Sequence, residues 1–269
     1  MRTVTIEEML TWAFVHELPK GGGVDGLDNA NSAWRMLFAS SWGKVSSFAE
    51  LLTVIDTGPR EGGMWIEQSE PHEDAVSVGR AVAGLAAFDV FIPPAWNPLT
   101  DWVDERGLAP KSVAGVAERF MLRTLPRRAA HLVSLVVGMA VLGKQPDWKA
   151  EEPKVRMIER GGHPAWFVSK VIKDDFGREN TIEVDGRNPR SRRPVPGAYR
   201  KYEFSDSPAG DIMSRLDWQL WVAALAEIEK AVRPQLVGHR IVAADLDTRP
   251  WGGRGSPARL VPLRRAAAA

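Results

Sequence analysis

Apolar residues change their spacing near Lys154, and that change constrains the fold more than any other feature. Upstream they recur at helical intervals. Ala75, Val78, Val82 and Leu85 follow Pro71, and Val113, Val116, Ala117, Phe120 and Met121 follow Pro110. Each set lines one face of a helix opened by a proline, whose missing N–H has no partner to lose there. Pro126 opens a further helix, about 127–142, that is apolar nearly all round and so predicts a central core element. Thr5 and Glu8 form a capping-box pair at the start of a first helix with Met9, Trp12, Ala13 and Phe14 on one side, ending near Leu18-Pro19. Phe48, Leu51, Leu52 and Ile55 predict a short helix over residues 46–55.

Downstream of Lys154 the period shortens to about 2, the signature of strands with one wet face. Residues 155–157, 166–168 and 182–184 alternate apolar with polar, and Gly161-Gly162, residues 174–177 and Asp185-Gly186 supply turns between them. The expectation is an antiparallel meander of three strands, with a fourth at 199–204. Ser207-Pro208 then opens a long helix whose Ile212, Leu216, Leu220, Ala224 and Ile228 face one way until Arg233-Pro234 stops it. Such a helix would cover the meander. The fold class is therefore α+β: a helical region over 1–149, the meander with its covering helix over 150–247, and a flexible basic tail over 248–269.

Absence of cysteine removes disulfides, thiolate zinc sites and thiol nucleophiles at once. The five histidines (His16, His72, His131, His163, His239) are isolated in sequence, and no two lie four apart. Glu70, His72, Glu73 and Asp74 fall where a helix begins, so capping explains them without a metal. Asp147 followed by Glu152-Pro153-Lys154 imitates the acid pair and lysine of a Mg-dependent nuclease, but the spacing is tight and Pro153 would interrupt the strand. No Walker loop, dinucleotide fingerprint or nucleophile elbow occurs, so no cofactor is expected and the reading leans away from an enzyme. The opening residues are amphipathic and acidic, unlike a signal peptide, and the apolar run 132–142 is about half the roughly 20 residues a bilayer span needs. A cytoplasmic chain with no membrane partner is expected.

Charge is divided along the chain. Residues 1–110 carry 7 Lys/Arg against 16 Asp/Glu, net −9, and residues 111–269 carry 28 against 18, net +10. Either the halves attract each other or the back half offers a surface to a polyanion. The densest basic segment holds Arg187, Arg190, Arg192, Arg193, Arg200 and Lys201 without an acid, and its prolines favour an extended loop. Guanidinium forks held this way suit phosphates, and Tyr199 and Tyr202 could stack on unpaired bases. The competing reading is that these arginines pair with the acidic front half. Arg119, Arg123, Arg127 and Arg128 flank a helix junction and invite a helix-turn-helix comparison, yet residues 132–137 offer almost nothing to a base edge.

At Thr5-Ile-Glu-Glu-Met-Leu-Thr-Trp12, Pro94-Ala-Trp-Asn-Pro98, Lys144-Gln-Pro-Asp-Trp148 and Arg193-Pro-Val-Pro-Gly-Ala-Tyr-Arg-Lys201 the chain resembles a group of uncharacterised proteins from prophages of alphaproteobacteria. The resemblance implies a phage or prophage accessory protein, and it assigns no activity and no residue roles. Combined with the basic loop, it predicts a nucleic-acid-binding accessory protein, regulatory in character, that contacts DNA or RNA through Arg187, Arg190, Arg192, Arg193, Tyr199, Arg200 and Lys201. The alternative is an adaptor that engages a host or phage protein through exposed members of its eleven tryptophans and through arginine. The Mg-dependent nuclease stands third.

Overall fold

A computed structural model describes residues 1–21, 70–174, 176–253 and 255–263. The glycine run beyond residue 21, the helix expected over 46–55, and Trp34, Trp42 and Trp65 lie outside the described residues. The fold is α+β. The chain opens with β1 (Arg2–Thr5) and α1 (Ile6–Thr11), which widens into a π-helical turn (Trp12–Glu17) and closes in a 3-10 turn (Leu18–Gly21). The capping box forms as expected: Thr5 Oγ1 accepts the Glu8 N–H at 3.2 Å and Glu8 Oε2 accepts the Thr5 N–H at 2.9 Å. Then come α2 (Glu73–Gly84), β2 (Phe88–Phe91), α3 (Ala109–Met121) and α4 (Leu125–Leu142). Pro110 and Pro126 each sit one residue inside their helices.

The β-rich stretch comprises β3 (Val155–Met157), β4 (Glu159–Arg160), β5 (His163–Pro164), β6 (Phe167–Lys173), β7 (Glu179–Asp185) and β8 (Tyr202–Phe204). It pairs as separate two-stranded antiparallel ladders, β3 with β8, β4 with β5 and β6 with β7, not as the consecutive meander expected. Only β6–β7 is a long hairpin, and most of its residues face solvent on both sides. The local alternation was real, but the closing partner of β3 comes from residues 202–204, which period alone cannot reveal.

The long helix α5 (Ala209–Val232) is the centre of the molecule and does not lie over the β-rich stretch as expected. It packs against α2, α3 and α4, and Ile212, Leu216, Leu220 and Ala224 are fully buried. Helix α4 is less central than its composition suggested: Leu132, Val133, Val136 and Val137 are buried, whereas Leu142 is 61% exposed. Among the described residues α4 is the one helix long and apolar enough to cross a membrane, and its buried face packs on α1, α5 and β2. The apolar core takes in residues on both sides of 149, from Val4 to Ala258.

Two strands follow α5. Strand β9 (His239–Val242) pairs in parallel with β1, and β10 (Arg259–Pro262) pairs antiparallel with β2. Much of the segment expected as a flexible tail is thus built into the fold, with Trp251 and Ala258 buried. Gln219 Oε1 fastens it by accepting the Ala258 N–H at 2.9 Å and the Trp96 indole N–H at 2.8 Å. Residues 264–269 lie outside the described residues.

Candidate functional site

The basic segment begins where β7 ends. Gly186 is wedged so closely that a Cβ there would lie 2.9 Å from the Phe167 carbonyl carbon and 3.0 Å from the Ala198 Cβ. Beyond it the chain folds into a compact turn, not the extended loop expected from its prolines. Asp185 Oδ1 accepts the Arg187 N–H at 2.9 Å, and Asn188 Oδ1 accepts those of Arg190 and Ser191 at 2.9 and 3.2 Å. The Asn188 N–H donates to the Arg193 carbonyl and the Arg192 N–H to the Asn188 carbonyl, both at 2.9 Å. Short polar side chains favour such local bonds, which compete with extended backbone. Arg192 closes the turn at φ 54°, a conformation uncommon outside glycine.

Arg190, Arg192 and Arg193 are exposed on this turn and Arg187 is half-buried. None of the four has a carboxylate partner among the described residues. Attraction between the acidic front and basic back is carried elsewhere. Arg128 grips Asp89 with two bonds of 2.8 Å, and buried Arg215 pairs with Asp101, also donating to the Pro98 and Trp148 carbonyls at 2.7 and 3.0 Å. The Arg128 hydrogen bond, ahead of the opposing effect of burial, holds the Asp89 carboxyl below its ordinary value. Arg128 also donates to the Met121 and Arg123 carbonyls at the end of α3, so it braces the helix junction and is not held out toward a groove.

Tyr199, Arg200 and Lys201 do not join the exposed set. The Tyr199 hydroxyl and the Lys201 ammonium both donate to Glu183 on β7, and these bonds, the lysine's first, lower the Glu183 pKa. Arg200 lies 4.2 Å over the Trp166 ring, and the Tyr202 ring is covered by Arg106 at 4.2 Å. Those side chains stiffen the base of the hairpin. The nuclease imitation dissolves likewise: Glu152 accepts the backbone N–H groups of Val103 and Asp104 at 2.8 and 2.9 Å. None of the eight described tryptophans is exposed.

A second cluster went unseen in the sequence. His72 Nδ1 caps α2 by accepting the Asp74 N–H at 3.0 Å, and the His72 N–H donates to Glu17 Oε2 at 3.2 Å. Asp74, fully buried, accepts four bonds from the start of β9: the amides of Val237, Gly238 and His239 at 2.8, 3.0 and 3.0 Å, and His239 Nδ1–H at 2.8 Å. Burial opposes its charge, yet the Val237 amide, the His239 imidazole and the Gly238 amide together hold its carboxyl below the ordinary value. That bond orients the His239 ring with Nδ1 toward Asp74 and Nε2 turned away from it. The His239 ring packs on Trp12 with centroids 4.4 Å apart, where the helix has widened. Residues from three separate segments, 12–17, 72–74 and 237–239, build this cluster, so the sequence offers only the His72–Asp74 pair as a local signal.

Ligand atoms of His72, Asp74 and His239 lie within 4.8 Å of one another, which is within reach of shared metal coordination. The Asp74 and His72 atoms among them are already engaged or crowded. Asp74 Oδ2 accepts three N–H groups, His72 Nδ1 serves the cap, and His72 Nε2 sits 3.1 Å from where a Cβ on Gly238 would be. The cluster is a fastening between α2 and β9. Beside it, β1, α1 and the C-terminal half of α4 line an open pocket of about 690 Å³, with His239 in one wall.

No protein-family model, no curated protein and no solved structure matches this chain.

Proposed function

We propose that this chain is a non-enzymatic nucleic-acid-binding protein that grips backbone phosphates with Arg187, Arg190, Arg192 and Arg193, in keeping with the prophage accessory role implied by its resemblance. The observation that carries the reading is a backbone-fixed turn presenting four arginines that no described carboxylate neutralises. An arginine fork held at a rigid site loses little freedom on meeting a phosphate. In this reading the antiparallel strands between residues 155 and 204 act as one small platform for the turn. Tyr199 and Tyr202 are occupied, which favours phosphate contact over base stacking and predicts little sequence preference.

Four phosphate contacts on duplex DNA give a salt slope of about −3.6, so affinity falls about 150-fold between about 50 and 200 mM salt. The test is fluorescence anisotropy of labelled duplex and single-stranded DNA and RNA across that range. An Arg190/Arg192/Arg193→Ala variant retains one contact, and its affinity falls only about three- to fourfold over the same interval. Absence of binding at low salt, or a variant that matches the wild type, overturns the proposal.

A further inference from the structure

We infer that the β6–β7 hairpin joins two copies of this chain, β6 of one pairing antiparallel with β6 of the other about a two-fold axis. Each strand of the hairpin packs chiefly on the other. Val171, Ile172, Phe176 and Ile182 stand exposed along it, Val171 at 57% and Phe176 at 87%. A lone two-stranded ribbon is marginal in water, so a hairpin this bare gains from a further strand.

Backbone alternation identifies the open edges. Phe167 turns its N–H and C=O to Tyr199, with bonds of 2.9 and 2.8 Å, whereas the Asp174 N–H turns inward to the Arg178 carbonyl. The N–H and C=O groups of Ser169, Val171 and Lys173 therefore face outward with Phe167, and they have no backbone partner among the described residues. The same alternation opens the outer edge of β7 at Glu179, Thr181 and Glu183. Charge selects between the two edges. Strand β7 carries Glu179, Glu183 and Asp185 and no base, so two β7 edges repel each other. Strand β6 is its own complement: with Ile172 opposite Ile172 of the second copy, Val171 and Lys173 exchange backbone bonds and Lys170 lies opposite Asp174. Lys170 is exposed and has no ion pair among the described residues. Asp174 Oδ1 serves the Phe176 and Arg178 amides, and Oδ2 has only the Asn180 amide, at 3.5 Å. A β6-to-β7 joint would also match charges, but it leaves a free edge at each end and does not stop at two copies. The two-fold pairing makes one four-stranded sheet and stands or falls without the arginine turn.

The test is sedimentation equilibrium of the full chain at about 10–500 µM, a range suited to an interface at the small end of protein contacts. The wild type should pass from monomer to dimer and stop there. Val171 and Thr181 face each other across the ladder, so Val171→Pro and Thr181→Pro strain the hairpin alike and differ in the edge whose outward N–H they remove. Val171→Pro should weaken the dimer about tenfold or more, and Thr181→Pro should change it less than about threefold. Lys170→Glu, which sets a like charge opposite Asp174, should weaken it about three- to tenfold. A chain that stays monomeric throughout, a Val171→Pro or Lys170→Glu variant that dimerises like the wild type, a Thr181→Pro variant that loses the dimer as fully as Val171→Pro, or growth beyond two copies overturns the proposal.

Discussion

Replacing Asp74 by alanine tests the fastening between α2 and β9 most directly. The substitution strips the acceptor from four donors at once. Val237 is 67% exposed, and its amide and that of Gly238 recover water readily. The His239 amide and imidazole are buried and recover nothing. An unsatisfied buried donor costs about 1–3 kcal/mol, so the two together cost about 2–6 kcal/mol, a large share of the stability of an ordinary domain. His239→Phe removes one donor and leaves the carboxylate with three, so its cost should stay near the lower end, about 1.5–3 kcal/mol. Urea denaturation followed by tryptophan fluorescence measures both, and Trp12, packed on His239, reports the site itself. If Asp74→Ala costs less than about 1 kcal/mol while His239→Phe costs as much or more, the carboxylate is not the fastening and the reasoning fails.

Acid should act through the same group. Asp74 and Asp89 both have folded pKa values below their ordinary ones. The stabilisation they contribute is complete above the unfolded value of about 3.9 and is lost as pH falls through the folded values. Thermal melts at stepped pH should therefore drop below about pH 4, and Asp89→Asn should make that decline shallower. Arg215→Met keeps the side-chain volume but leaves Asp101 and two carbonyls without their donor; because the Asp101 side chain is 31% exposed, the cost should be about 3 kcal/mol, measured by chemical denaturation. Gly186→Ala forces a Cβ into the Phe167 backbone and should cost about 1–3 kcal/mol, with DNA affinity falling because the arginine turn loses its footing.

Helix positions were legible because each depends on residues three and four apart. The Thr5–Glu8 cap and the apolar faces of α2 and α3 need no distant partner to be read. Which helix sits at the centre was not legible. Helix α4 is apolar nearly all round, whereas α5 buries Arg215 and Gln219, polar groups tolerable only because Asp101, Pro98, Trp148, Trp96 and Ala258 converge on them. Those partners are scattered in sequence, so a local pattern scores α5 as the less buried helix. Likewise the basic segment stood out by composition, but its division into exposed arginines and an inward group of Tyr199, Arg200 and Lys201 follows from Glu183 and Trp166 across the hairpin. The His239 cluster left only the His72–Asp74 pair as a local trace, since His239 joins it only when β9 closes on β1.

That closure has a consequence in time. Residues 2–5 find their strand partner only at 239–242, and residues 88–91 find theirs only at 259–262. Asp74 and His239 stand 165 positions apart, so at a synthesis rate of about 5–20 residues per second the α2 cap waits on the order of ten to thirty seconds on the ribosome for its other half. Through that interval Met9, Leu10 and Val78, all buried in the finished core, lack the part of their packing that α5 and β9 supply. Pairings of such long reach fold slowly. Holding chaperones that shelter those early segments until the late strands emerge should therefore raise the soluble yield.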